Sequence, residues 1–233
     1  MLDIKINEWN KSYKNGDNFI FYPHEEIIRF VSKYFRKRID IDIYSDMTKK
    51  LKGLDFGCGI GRHVFFMDDF KINSYGVDIS NVAINKAHEW ASFLGKNYLV
   101  DNIIKVTGNG VLPFSNNYFD LVVSHGVFDS MTFPLAKQNL KEIEKVIKNN
   151  GLVYVDLISG DDNIHPLGFS GEEIINTIHE KDTVQSFYNY SKIQELITDT
   201  SFIIEDLYLI RREKIVKYKD VNSRYHLILR KVI

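Results

Sequence analysis

The stretch LKGLDFGCGIG, residues 51–61, decides how the rest of the chain is read. An apolar run rises to Asp55 and then breaks into glycines at alternate positions, Gly57, Gly59 and Gly61. A buried strand turning tightly into a helix has this pattern. Glycine reaches φ > 0 without strain and leaves the backbone bare, so a ligand can lie directly against it. The spacing is GxGxG, whereas a dinucleotide site carries GxGxxG with a small residue at the sixth position, here Arg62. Asp55, two residues before the first glycine, would repel a pyrophosphate and welcome an ammonium group. The loop therefore points to a nucleoside-like ligand that carries positive charge, with a nicotinamide dinucleotide as the trailing alternative.

Working outward, Asp78 closes a second apolar run, SYGVDIS, where a carboxylate can accept both hydroxyls of a ribose. A third short strand is expected at 103–107, leading into Gly108, Asn109 and Gly110. A fourth is expected at 118–124, followed by His125, Gly126, Val127, Phe128 and Asp129. The fifth covers 152–158, its apolar run broken by Asp156, which either faces a neighbouring helix or anchors a loop. Between strands, helical spacing predicts helices over 24–39, over 61–70, after Ser80 to about residue 94, and from Pro134 to the Asn149–Asn150–Gly151 signal. Trp90 reads as packing. Further strands are expected near 202–210 and 225–232, joined by the charged turn RREKIVKYKD.

At these residues the chain resembles the class I S-adenosylmethionine-dependent methyltransferases. LDFGCGIG looks like their first motif and GVDIS like the acidic end of their second strand. VTGNGVLPFSNNYFDLVVSHGVF looks like their adenine loop and fourth strand, and GLVYVDL like their fifth. The likeness spans residues 51–157 and continues plausibly to the C-terminus. It implies a Rossmann-like, doubly wound α/β fold. The sheet would be mostly parallel and seven-stranded with an antiparallel last strand, helices would cover both faces, and the cofactor would be S-adenosyl-L-methionine. The cofactor residues that the resemblance implies are Asp55, Gly57, Cys58, Gly59, Asp78, Ile79, Asn109, Gly110 and Ser124. The family usually has an aspartate where Asn109 stands, so the adenine contact here loses its charge. SHGVF lacks the Asn/Asp, two prolines and aromatic of amino-directed base methylases, which argues against DNA bases as substrate.

The 233 residues suit one domain, divided into an N-terminal cap (1–40), a cofactor core (51–158), a lid insert (159–190) and a C-terminal helix with two strands (191–233). A net charge of −1 provides no global field for gathering nucleic acid, so a nucleic-acid partner is not expected and a small-molecule substrate is. The lone Cys58 precludes an intrachain disulfide, no metal-ligand spacing is apparent, and no signal or membrane segment is read, which fits a cytoplasmic protein. In the polar N-terminal segment, Trp9 and Tyr13 belong either to a flap over the cofactor or to an arm pinned by its rings. Arg36, Lys37 and Arg38 read as a solvated helix end. His63 would reach the cofactor's carboxylate or face solvent. Residues 159–190 form a long excursion, read as a lid or as a surface loop with a short helix near 172–178, before a helix capped by Ser191 with Gln194. His125 is the first candidate general base, with Asp129 orienting it or acting itself, and Tyr22, His24 and His165 are candidate substrate contacts.

Overall fold

The computed structural model describes residues 2–108, 111–176, 181–216 and 220–233. Helices α1 (Leu2–Asn15) and α2 (Glu25–Tyr34) precede a small antiparallel hairpin, β1 (Arg38–Asp40) and β2 (Ile43–Tyr44). The core then alternates β3 (Lys52–Phe56), α3 (Arg62–Asp69), β4 (Asn73–Asp78), α4 (Asn81–Phe93), β5 (Ile103–Lys105), β6 (Phe119–Ser124), α5 (Phe133–Val146) and β7 (Ile147–Ile158). A hairpin of β8 (Glu172–Ile175) and β9 (Thr183–Ser186), helix α6 (Tyr190–Ile197), and the long strands β10 (Phe202–Glu213) and β11 (Val221–Lys231) complete the chain.

One sheet has the order β5-β4-β3-β6-β7-β11-β10. The first five strands of this order are parallel, β11 runs antiparallel to β7, and β10 runs antiparallel to β11. Strands in the parallel part are buried on both faces, so they read as continuous apolar runs. In β6, Leu121 and Val123 pack with Ile27, Phe30 and Met67 on one side, while Val122 packs with Leu140, Ile143 and Ile193 on the other. The strand order reverses between β3 and β6, and a crevice opens beyond their carboxyl ends.

Local differences from the sequence reading have physical causes. The helix expected over 24–39 stops at Tyr34, because Arg36 turns inward. That guanidinium is 1% exposed and donates to the carbonyls of Phe70, Lys71, Asp46 and Lys49, which fixes the β1–β2 hairpin beside α3. It is therefore a buried clamp and not a solvated helix end. Helix α5 ends at Val146, and Asn149–Asn150–Gly151 form a bulge inside β7, with Asn150 at φ 62° and the register slipping against β6. A Cβ on Gly151 would come within 2.8 Å of the Lys148 carbonyl, so the bulge requires glycine. The insert forms strands β8 and β9; β8 stands where one of the two readings had a short helix near 172–178, of which residues 177 and 178 lie outside the described residues. Helix α6 is capped by Asn189, which accepts from the Lys192 amide at 2.9 Å, and not by Ser191.

Arg36→Met keeps the apolar stem but strips four carbonyls of their donor. It is expected to lower folding stability by about 2–4 kcal/mol in urea unfolding. An unchanged midpoint would mean that water serves those carbonyls equally well.

Candidate active site

The glycine loop is held from below and from above. The amides of Gly57 and Cys58 both donate to the Val77 carbonyl, at 2.8 and 2.9 Å, tying the end of β3 to β4. Asp78 then uses one carboxylate oxygen for the Gly59 amide (2.9 Å) and the other for the Ser80 amide (2.7 Å), so it organises the loop and the start of α4 together. Burial pushes its pKa up and those amides oppose the rise. From above, Tyr13 of α1 rests on the loop. A Cβ on Gly59, at φ 53°, would lie 2.5 Å from the Tyr13 hydroxyl. Burial and the charge of Asp78 raise the Tyr13 phenol well above its ordinary pKa.

A cavity of about 380 Å³ lies against this loop. Of the residues singled out from sequence, Trp9, Tyr13, Gly57, Cys58, Gly59, Asp78, Ile79, His125 and Asp129 line it. Asp55 and Ser124 lie beneath it. Ser124 donates to the Phe56 carbonyl at 3.0 Å, and Asp55 is 1% exposed with neither oxygen hydrogen-bonded within the described residues. Asn109 and Gly110 lie outside the described residues.

Tyr22, His24 and His165 are not on the cavity wall. Tyr22 is exposed to solvent, and His24 caps α2 by accepting from the Glu26 amide. His165 sits in the insert between Asp162 (2.7 Å) and Glu173 (3.0 Å) and stacks on Phe169. Trp90 packs edge-on against Phe65 and Phe21, as expected for a packing residue.

His63 is buried, neither solvated nor free. Its Nε2 accepts from the His24 amide (3.3 Å), which places its proton on Nδ1, 3.5 Å from Asp55. His125 is constrained in the same way. Arg62 can only donate, so His125 Nδ1, 3.1 Å from the guanidinium, accepts. The imidazole proton is then on Nε2, facing Asp156 at 3.4 Å. Burial lowers the pKa of His125 to about 3, with Asp156 opposing the shift. Its lone pair is already taken, so this geometry works against the general-base role expected of it.

Asp129 is different. It is 1% exposed and lines the cavity, and its Oδ2 pairs with Arg224 Nη2 at 2.5 Å. Its Oδ1 has no partner from another described residue. Burial raises its pKa and Arg224 opposes the rise.

Arg224 is the main functional residue that the sequence reading missed. From β11 it bridges Asp129 and Asp156, the latter at 2.7 Å, while Asp156 also accepts from the Gly126 amide at 2.7 Å. Asp156 thus anchors the turn after β6. Asp156 gave a signal by interrupting an apolar strand, whereas Arg224 follows the polar Asn222 and Ser223 and gave none. Gln185 of β9 also lines the cavity and donates to the Asp129 carbonyl (3.3 Å), while Ser186 donates to the Met131 carbonyl (2.7 Å). The insert is thereby pinned to the turn Phe128–Ser130. Lys5 of α1 reaches the Ser130 carbonyl from the other side.

Residues 54–155 match the family model described as a methyltransferase domain. Over that stretch, which is less than half of the chain, the sequence is similar to the methyltransferase domain family. An uncharacterised protein of Rickettsia prowazekii is 28% identical over 142 residues, covering 56% of this chain and 54% of the relative. The chain spans about half the length of the curated relatives it matches. A methyltransferase structure from Methanosarcina mazei superposes with a TM-score of 0.64 at 19% identity, covering 83% of this chain and 100% of the other. The cyclase SpnF superposes at 0.64 and 15% identity, covering 99% and 94%. At these identities the structures speak for the fold. The cofactor that the methyltransferase match implies is S-adenosyl-L-methionine, and the cavity suits it, since the glycine loop and the Asp78 carboxylate lie on one side of it and the Arg62 guanidinium lines the same wall.

Asp78→Ala is expected to weaken S-adenosylmethionine binding by roughly tenfold to a hundredfold, through the lost ribose acceptor and a slackened loop. Unchanged calorimetric affinity would remove Asp78 from the site. Burial also holds three neighbouring imidazoles below their ordinary pKa: His24 (to about 4), His125 (to about 3) and His226. They are neutral when folded and take up protons on unfolding. The stability they contribute is present above about pH 6.5 and is lost as the pH falls from there toward 4 and below. His125→Gln should reduce proton uptake on unfolding near pH 5 by about one, read from the pH dependence of the urea midpoint.

Proposed function

We propose that this chain transfers a methyl group from S-adenosyl-L-methionine to a small polar metabolite, through an oxygen or nitrogen atom, in the cytoplasm. The observation that carries this reading is the continuity of one cavity, from the glycine loop and Asp78 to His125 and Asp129. Residues of α1 and of the insert line it, and its volume falls in the range of small-molecule sites, which supports a metabolite as acceptor. Among the described residues, no helix is long and apolar enough to cross a membrane.

The bound cofactor supplies a methyl group that is already activated, so the protein's work is alignment and exclusion of water. Holding the reactants in line is worth ~7–11 kcal/mol. Arg62, on the cavity wall beside Gly59, is the cation for the carboxylate of the amino-acid portion, and the Asp78 carboxylate serves the ribose. Tyr13 and Trp9 roof the site, and Gln185 closes it from the insert. His125 keeps Arg62 in place through its accepting Nδ1. Asp129 is the proton acceptor at the reacting end.

The test is to incubate the protein with methyl-labelled cofactor and a metabolite extract and follow the label by mass spectrometry. The expected outcome is S-adenosylhomocysteine together with a small metabolite heavier by one methylene. Label recovered only in RNA or protein would move the acceptor to a polymer. Binding with no label transferred would make the chain a cofactor-binding module.

A further inference from the structure

Helix α5 buries Ala136, Leu140, Ile143 and Val146, and the same face carries one amide, Asn139, which is 4% exposed. A polar group withdrawn from water is costly unless it is hydrogen-bonded. Asn139 Nδ2 donates to the Met131 thioether at 3.1 Å, and sulfur is a weak acceptor. A thioether cannot donate, so the amide is fixed with its nitrogen toward sulfur and Oδ1 turned away. Oδ1 has no donor among the described residues and retains accessible surface, and Asn139 lines the cavity together with Ser130, Met131 and Leu135. Gln185 of β9 repeats the arrangement. Its Nε2 donates to the Asp129 carbonyl (3.3 Å), which can only accept, and its Oε1 is left without a donor among the described residues.

We infer that Asn139 and Gln185 are the recognition pair for the methyl acceptor, which is an uncharged molecule presenting N–H or O–H donors from an apolar frame. The inference rests on the methyl-transfer reading and narrows it. Two uncommitted amide oxygens call for donors, and Met131, Leu135 and Ile158 supply an apolar wall. Charge at this end is already matched. Lys5 and Arg224 stand against Asp129 and Asp156, Lys5 reaches the Ser130 carbonyl, Arg224 holds both carboxylates, and burial keeps His125 neutral. A carboxylate or phosphate would have to draw Arg224 from two buried aspartates while facing amide oxygens of its own sign. An ammonium group finds no surplus carboxylate. A donor-bearing neutral molecule satisfies the amides, whereas an analogue without the donor leaves a buried oxygen unpaired, so the pair discriminates by hydrogen bonding.

The test starts from the full chain, methyl-labelled S-adenosylmethionine and a metabolite extract, and takes the unmethylated form of the labelled product as substrate. That product should be uncharged at the methylated group. Asn139→Leu keeps the side chain's shape and removes the amide. It should raise KM for this substrate about tenfold or more. Calorimetric affinity for S-adenosylhomocysteine should stay unchanged, and the urea midpoint should not fall, because an apolar group replaces a poorly satisfied amide. A purely structural amide would give the reverse, a lower midpoint with KM unmoved. Gln185→Met, on the insert, should raise KM in the same way and serves if Asn139→Leu does not fold. A native KM in either folded variant overturns the inference, and so does a product that is a carboxylate or phosphate ester or a methylated ammonium. If the native chain neither binds S-adenosylmethionine nor forms S-adenosylhomocysteine in the extract, the methyl-transfer reading itself falls, and the pair loses its role with it.

Discussion

Charge withdrawn from water must be met by opposite charge or by aligned donors, and the carboxyl edge of this sheet is shaped by that requirement. Four aspartates gather there, and each is handled differently. Asp78 is satisfied by two backbone amides, and Asp156 by an arginine and an amide. Asp129 is half satisfied, and Asp55 has only the edge of His63. Of these two incompletely paired carboxylates, Asp129 lines the cavity and Asp55 is buried beside His63. Arg224 is the keystone, because it joins an antiparallel strand to the turn that follows a parallel one.

The parallel half of the sheet was legible because its signals are local. Residues 51–61 hold strand, turn and helix start together, and Asp78 ends an apolar run where the ribose acceptor was expected. Elements that depend on distant partners were not legible. Arg36 looked like a solvated helix end because its carbonyl partners come from residues 46–71. The Asn149–Asn150–Gly151 signal was read as a helix stop, yet the same preference for left-handed backbone serves a bulge. The insert's strands are short and half exposed, so they carry little periodicity.

The Gly-loop residues and Asp129 lie on the cavity wall, where motif and position together put them. His125 lies there too, but the sequence could not show that Arg62, 63 residues away, donates to its Nδ1. Arg224 escaped notice because it is 68 residues from Asp156 and 95 from Asp129 in the chain. Asp156 and Arg224 lie two positions apart in register, in the relation Arg224 to Ile158 and His226 to Asp156, and so share a face of the sheet.

The reversed direction of β11 has a practical side. The strand enters the sheet at the edge bearing the cavity and leaves at the opposite edge, with Arg230 paired to Leu152 and Ile233 in open solvent. A tether attached after Ile233 would point away from the mouth, so the protein could be immobilised through that end with its entrance unobstructed. A tether before α1 would hang beside the roof itself.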